Sequence, residues 1–125
     1  MVINLNLIKM SNVLLIDKKI KEFNKKIIVS GDKSISIRWV LLASQTIGKS
    51  KAYNLLMSED VIAALQAIKK LGIKVSIHKN YCEIYGKGIN NFRYKNGLTI
   101  NAKNSGTLGR LILGLLVKSP KKIKI

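Results

Sequence analysis

Ser30-Gly31-Asp32-Lys33-Ser34-Ile35-Ser36-Ile37-Arg38 decides how this 125-residue chain is read. Its first four residues form a small-residue turn, and residues 34–47 then show helical spacing. Ile35, Trp39, Leu42, Ala43 and Thr46 are expected on the buried face, with Gly48 as the stop. Further on, Asn104-Ser105-Gly106-Thr107-Leu108-Gly109-Arg110 repeats the plan: a turn, a helix start, and an arginine one turn in. Laying Ser34 to Arg38 over Gly106 to Arg110 brings strand, turn and helix into register, the mark of an internal repeat.

Around these two stretches the pattern is that of an α/β protein. Residues 13–16 and 26–29 read as short strands separated by the polar stretch 17–25, and residues 51–55 as another strand. Ser58 is placed to cap a second helix whose first turn carries Glu59 and Asp60, whose stripe is Val61, Leu65, Ile68 and Leu71, and which Gly72 ends. Ile73, Val75 and Ile77 alternate, His78-Lys79-Asn80 turns the chain, and Cys82 and Ile84 alternate again, predicting a β-hairpin. A strand over 98–102 and an apolar helix over 107–118 follow. Residues 119–125, opened by the helix breaker Pro120, read as a strand whose sheet partners are expected beyond residue 125. The order is β-α-β-α-β-β plus the start of a second such unit.

Composition narrows the function. A hydrophobic share of 47% is enough for a core, and no apolar run is long enough to span a bilayer. Met1 to Met10 lacks the basic flank and long apolar run of a secretory signal, so the cytoplasm is expected. One cysteine, Cys82, makes no internal disulfide and no metal pair. The net charge of +17 points to nucleic acid or to small anionic substrates. Its lysines are scattered through an Ile- and Asn-rich chain with no basic, aromatic-interleaved stretch, so most of it reads as solvated surface and nucleic acid is not the expected partner.

The two repeated turns are where chemistry is expected. The first N–H groups of a helix are unpaired and its dipole favours negative charge, so Ser30 to Ser34, with Lys33 adding a full charge, suits an anion. Ser34 and Arg38 share a helix face and Arg38 leans back over Ser34, although a plain cap and a plain surface arginine would have the same spacing. At Asn104-Ser105-Gly106-Thr107, Gly106 lets a ligand approach the backbone and Arg110 stands one turn later, while a tight turn alone would also use Gly106. Gly48-Lys49-Ser50 has the ending of a P-loop without its first glycine, and it closes a helix instead of opening one. His78 and Cys82 have no partners nearby in sequence and read as structural, as does Gly86-Lys87-Gly88; Glu59 and Asp60 read as helix-start carboxylates.

Gly31-Asp32-Lys33-Ser34 leading to Arg38 is similar to the opening signature of the 5-enolpyruvylshikimate-3-phosphate synthases. Asn54-Leu55-Leu56-Met57-Ser58-Glu59-Asp60 resembles that family's second strand and helix start, and Leu71-Gly72-Ile73 its helix exit. Asn104-Ser105-Gly106-Thr107 with Arg110 resembles its other N-terminal signature, so the likeness runs over residues 27–118. It implies the inside-out α/β barrel of the enolpyruvyl transferases. On that plan residues 1–25 belong to the family's other domain, 26–97 form the first β-α-β-α-β-β unit, and 98–125 an incomplete second.

The resemblance also implies transfer of the enolpyruvyl group from phosphoenolpyruvate to the 5-hydroxyl of shikimate 3-phosphate, with release of phosphate and with no metal or cofactor. Lys33, Ser34 and Arg38 would hold shikimate 3-phosphate, Lys33 and Gly106 phosphoenolpyruvate, and Asn104, Thr107 and Arg110 would shape the pocket. Full-length relatives are expected to be monomeric. Ser30 stands where the family usually has Pro, and Ile37 where it has a polar residue. The family's acid-base carboxylates would fall past residue 125, so no catalytic residue is expected in this chain and the chain alone is expected to be inactive. The UDP-N-acetylglucosamine enolpyruvyl transferases, which carry Asn where Ser34 stands, and a small basic nucleic-acid-binding protein are the rival readings.

Overall fold

The hairpin expected around His78 forms the spine of the sheet. In the computed structural model, which describes residues 24 and 26–125, β2 (Lys74–Ile77) and β3 (Tyr81–Lys87) pair antiparallel with Ile77 opposite Cys82. β1 (Ile47–Tyr53) lies on the other side of β3, also antiparallel, from Ile47 opposite Lys87 to Tyr53 opposite Tyr81, giving the order β1-β3-β2. The chain is mixed α/β, with α1 (Lys33–Gln45), α2 (Glu59–Lys70), α3 (Gly106–Leu116) and a second, two-stranded sheet of β4 (Leu98–Thr99) and β5 (Ile123–Lys124). The strand expected at 13–16 lies outside the described residues, as does nearly all of 1–25.

Strand alternation puts Cys82, Ile84 and Gly86 on one face of the sheet, and α1 packs against it. An added methyl on Gly86 would overlap the Thr46 carbonyl and come within 2.5 Å of the Ala43 carbonyl, so helix and strand meet backbone to backbone. Ile37, Val40 and Leu41 of α1 join Val61, Leu65, Ile68 and Leu71 of α2 and Ile84 of β3 in one core, which Ile100, Leu108 and Ile112 extend. Each such side chain contributes about 1.5–3 kcal/mol by leaving water. α2 ends as its sequence predicts: the N–H groups of Gly72 and Ile73 donate to the carbonyls of Lys69 and Ile68, and Gly72 takes φ +85°.

Several expectations are corrected. α1 buries Ser36, Ile37, Val40, Leu41, Ala43 and Ser44, whereas Ile35 and Leu42 are exposed. Residues 35, 37, 39, 40, 41 and 42 are all apolar, so periodicity alone does not choose the face; contact with β3 and α2 does. The helix starts at Lys33 and stops at Gln45, with Thr46 as its extended C-cap and the Thr46 hydroxyl donating to the Ala43 carbonyl; Gly48 is instead part of β1. β1 therefore occupies 47–53, not 51–55, and Asn54, at φ 54°, follows its end. Residues 26–29 pair with no strand among the described residues, and Ile27, Ile28 and Val29 stand exposed. β4 is only two residues long, and α3 stops at Leu116. The strand near the C-terminus finds its partner inside the chain, β5 lying parallel to β4 with Leu98 opposite Ile123.

Candidate anion-binding site

The starts of α1 and α3 are each set by a local hydrogen bond. Asp32 is the N-cap of α1, its Oδ1 accepting from the Ile35 N–H at 2.7 Å. That relieves Ser34 of the capping role and leaves its hydroxyl in the first turn. Ser105 caps α3, its Oγ accepting from the Leu108 N–H at 3.2 Å. Ser58 occupies the cap position of α2, but its hydroxyl makes no capping bond and is buried without a hydrogen-bond partner. Ser36, which sequence reading passes over, accepts from the Leu56 N–H at 3.1 Å and so ties α1 to the loop before α2.

Two ion pairs bring the helix starts together. Lys33, the first residue of α1, reaches Asp60 in the first turn of α2 with Nζ 3.1 Å from Oδ2. Lys103, just before α3, reaches Glu59, the first residue of α2, at 2.8 Å. α1 packs on α2 and α3, and α2 on α3, and the two ion pairs tie the start of α2 to the start of α1 and to the turn before α3. Gly106 and Asn104 are exposed, and Ser34 and Thr107 are half-buried. The Arg110 guanidinium folds back so that Nη1 stands 3.8 Å from where a Cβ on Gly106 would be. Arg38 is exposed, and among the described residues neither arginine has a salt-bridge partner.

Gly106 is not needed for the backbone. It opens α3 without a positive φ, and an added methyl would meet nothing nearer than Arg110. Gly31 is the opposite case, its α-carbon pressed against the backbone of Asn54 and Leu56. The candidate site is the exposed starts of α1 and α3, with Lys33 and Arg38 on one and Lys103 and Arg110 at the other, beside the carboxylates of Glu59 and Asp60. It suits a small multivalent anion held by helix ends and forked guanidinium groups. Sequence reading takes Glu59 and Asp60 for helix-start acids and passes over Lys103; both pairs bridge more than 25 residues of chain, and no local spacing signals them.

A further group of lysines sits on the outer face of the sheet. Lys51 lies over the Tyr81 ring at 3.6 Å, His78 stacks on that ring at 4.3 Å, and Lys74 lies over Tyr85. Lys49 pairs with Glu83 at 3.3 Å, and His78 lies 3.9 Å from the same carboxylate, so His78 does have partners. Burial pushes the Glu83 carboxyl up, but the Tyr85 hydroxyl, Lys49 and His78 outweigh it and hold it below the usual range. Cys82 faces the core, and burial raises its thiol, which fits an inert packing role. Among the described residues no three His, Cys, Asp or Glu side chains gather as metal ligands, and no helix is long and apolar enough to cross a membrane.

Known proteins resemble this chain in sequence and fold. The profile of the EPSP synthase (3-phosphoshikimate 1-carboxyvinyltransferase) family matches residues 17–125. A 3-phosphoshikimate 1-carboxyvinyltransferase of Bacillus cytotoxicus is 37% identical over 100 residues, covering 80% of this chain and 23% of the relative. One from Streptococcus pyogenes serotype M2 is 39% identical over 99 residues, covering 78% and 22%. The solved EPSP synthase from Acinetobacter baumannii superposes with a TM-score of 0.67 at 31% identity, over 74% of this chain and 21% of that one. The chain spans under a quarter of the length of these relatives. With its two repeated helix starts inside the matched region, the chain belongs to the EPSP synthase family.

Proposed function

We propose that this chain supplies part of the substrate site of a shikimate-pathway transferase. The reaction moves the enolpyruvyl group of phosphoenolpyruvate to the 5-hydroxyl of shikimate 3-phosphate and releases phosphate. The observation that supports the reading is that Lys33 at the α1 start and Lys103 before α3 both reach the acids of the α2 start while remaining exposed. Lys33, Ser34 and Arg38 hold shikimate 3-phosphate, and Lys33 and the Gly106 backbone hold phosphoenolpyruvate. Asn104, Thr107 and Arg110 shape the pocket. Residues 26–97 form the first repeat unit and 98–125 the start of the second, and the protein works among its soluble substrates in the cytoplasm.

On this reading the described residues supply cations and N–H donors, and their part is binding and orientation. Two or three charge-assisted hydrogen bonds of about 1.5–3 kcal/mol each only just exceed the cost of association. The expected affinity of the chain alone is therefore millimolar, about −4 kcal/mol, with no turnover. Nuclear magnetic resonance titration with shikimate 3-phosphate is expected to move the amides of Lys33 to Arg38, and Lys33→Ala with Arg38→Ala to abolish the shifts. Unmoved amides in that stretch would refute the assignment.

A further inference from the structure

We infer that Asp60 and Glu59 are resident counter-ions of this site, which an incoming anion must displace from Lys33 and Lys103. The inference rests on the site proposed above and adds a basis for its selectivity. Asp60 reaches back to α1 and Glu59 reaches forward to the loop before α3, so the acids of one helix start occupy cations of the other two. Both lysines are substantially exposed, at 53% and 40%. Exposed ion pairs of this kind are weak and open readily. The lysines are therefore held near the helix ends yet remain free to turn to a ligand.

A bound dianion would lie within a few ångströms of both carboxylates and be repelled by them. Holding a lysine side chain in place beforehand offsets only part of that repulsion. Simple anions with nothing but charge to offer are disfavoured the most. A substrate that adds hydrogen bonds from other groups overcomes the repulsion, so the two acids tune the site against inorganic phosphate and in favour of larger phosphorylated ligands.

The test is titration of the whole chain with inorganic phosphate, read from the amides of 33–38 and 105–108 at constant ionic strength. Asp60→Asn is expected to lower the Kd for phosphate by roughly threefold to tenfold. Glu59→Gln, at a side chain 64% exposed and thus safe for folding, should lower it by about twofold to threefold. Glu83→Gln makes the same change in net charge on the outer sheet face and should leave the Kd unchanged. The inference is overturned by unchanged or weaker binding in Asp60→Asn, by equal tightening in Glu83→Gln, or by no phosphate response in any variant. If Asp60→Asn does not fold, Glu59→Gln decides by the same criteria. Tighter phosphate binding with no response to shikimate 3-phosphate would keep the counter-ions and sink the substrate assignment; the reverse would sink the counter-ions alone.

Discussion

Gly31 packs its backbone against that of Asn54 so closely that a methyl group on its α-carbon would overlap the Asn54 carbonyl oxygen and press on the Leu56 nitrogen. The turn that opens α1 is thereby docked on the loop that leads into α2. Ser36 adds a second tie to the same loop through its hydrogen bond from Leu56, and Lys33 reaches α2 itself through Asp60.

Gly31→Ala should force that docking apart, because both obstacles are backbone atoms that side-chain rotation does not move. The expected loss is about 1–3 kcal/mol, measured as a lower urea midpoint with an unchanged slope.

Gly106→Ala is expected to behave in the opposite way. Nothing closer than the flexible end of Arg110 meets the added methyl, and alanine favours a helix more than glycine does. Stability should hold or rise by up to about 1 kcal/mol, while phosphate-induced shifts at the α3 amides weaken because the methyl covers the approach. Equal stability with undiminished shifts would mean that no ligand comes near this backbone.

Two serines separate cap position from cap function. Ser36→Ala leaves the Leu56 N–H without its acceptor and should cost about 1–3 kcal/mol. Ser58→Ala removes a hydroxyl that is buried and unpartnered, and should cost under about 0.5 kcal/mol or stabilise the fold. Urea denaturation of the two variants side by side checks the order.

Glu83 predicts an acid-side loss of stability. Its carboxyl is held below the usual range in the folded chain, so its contribution is complete above the ordinary glutamate value, near pH 4.3, and is lost as pH falls through the lower folded value. Glu83→Gln should therefore unfold more easily than the parent at pH 7, with the gap closing as pH falls through the folded carboxyl's lowered value. A gap that does not narrow on acidification would show that the difference comes from packing, not from the charge.

Much of this protein is determined locally. The hairpin at His78, the stripe and exit of α2, and the two repeated helix starts are legible because period-2 and period-3.6 patterns, a helix-ending glycine and small-residue turns act over a few residues. The buried face of α1 is not, since an almost unbroken apolar run from Ile35 to Leu42 satisfies several faces and only the sheet and α2 select one. Nor is the partner of β5, because pairing between Leu98 and Ile123 is a long-range event with no local signature. Lys33, Ser34, Arg38 and Gly106 stand out in the sequence as anion-binding types at a helix start. That Asp60 and Glu59 hold Lys33 and Lys103, tying the start of α2 to the start of α1 and to the turn before α3, was decided by tertiary packing, because a charge acts through space on whatever the fold brings within a few ångströms.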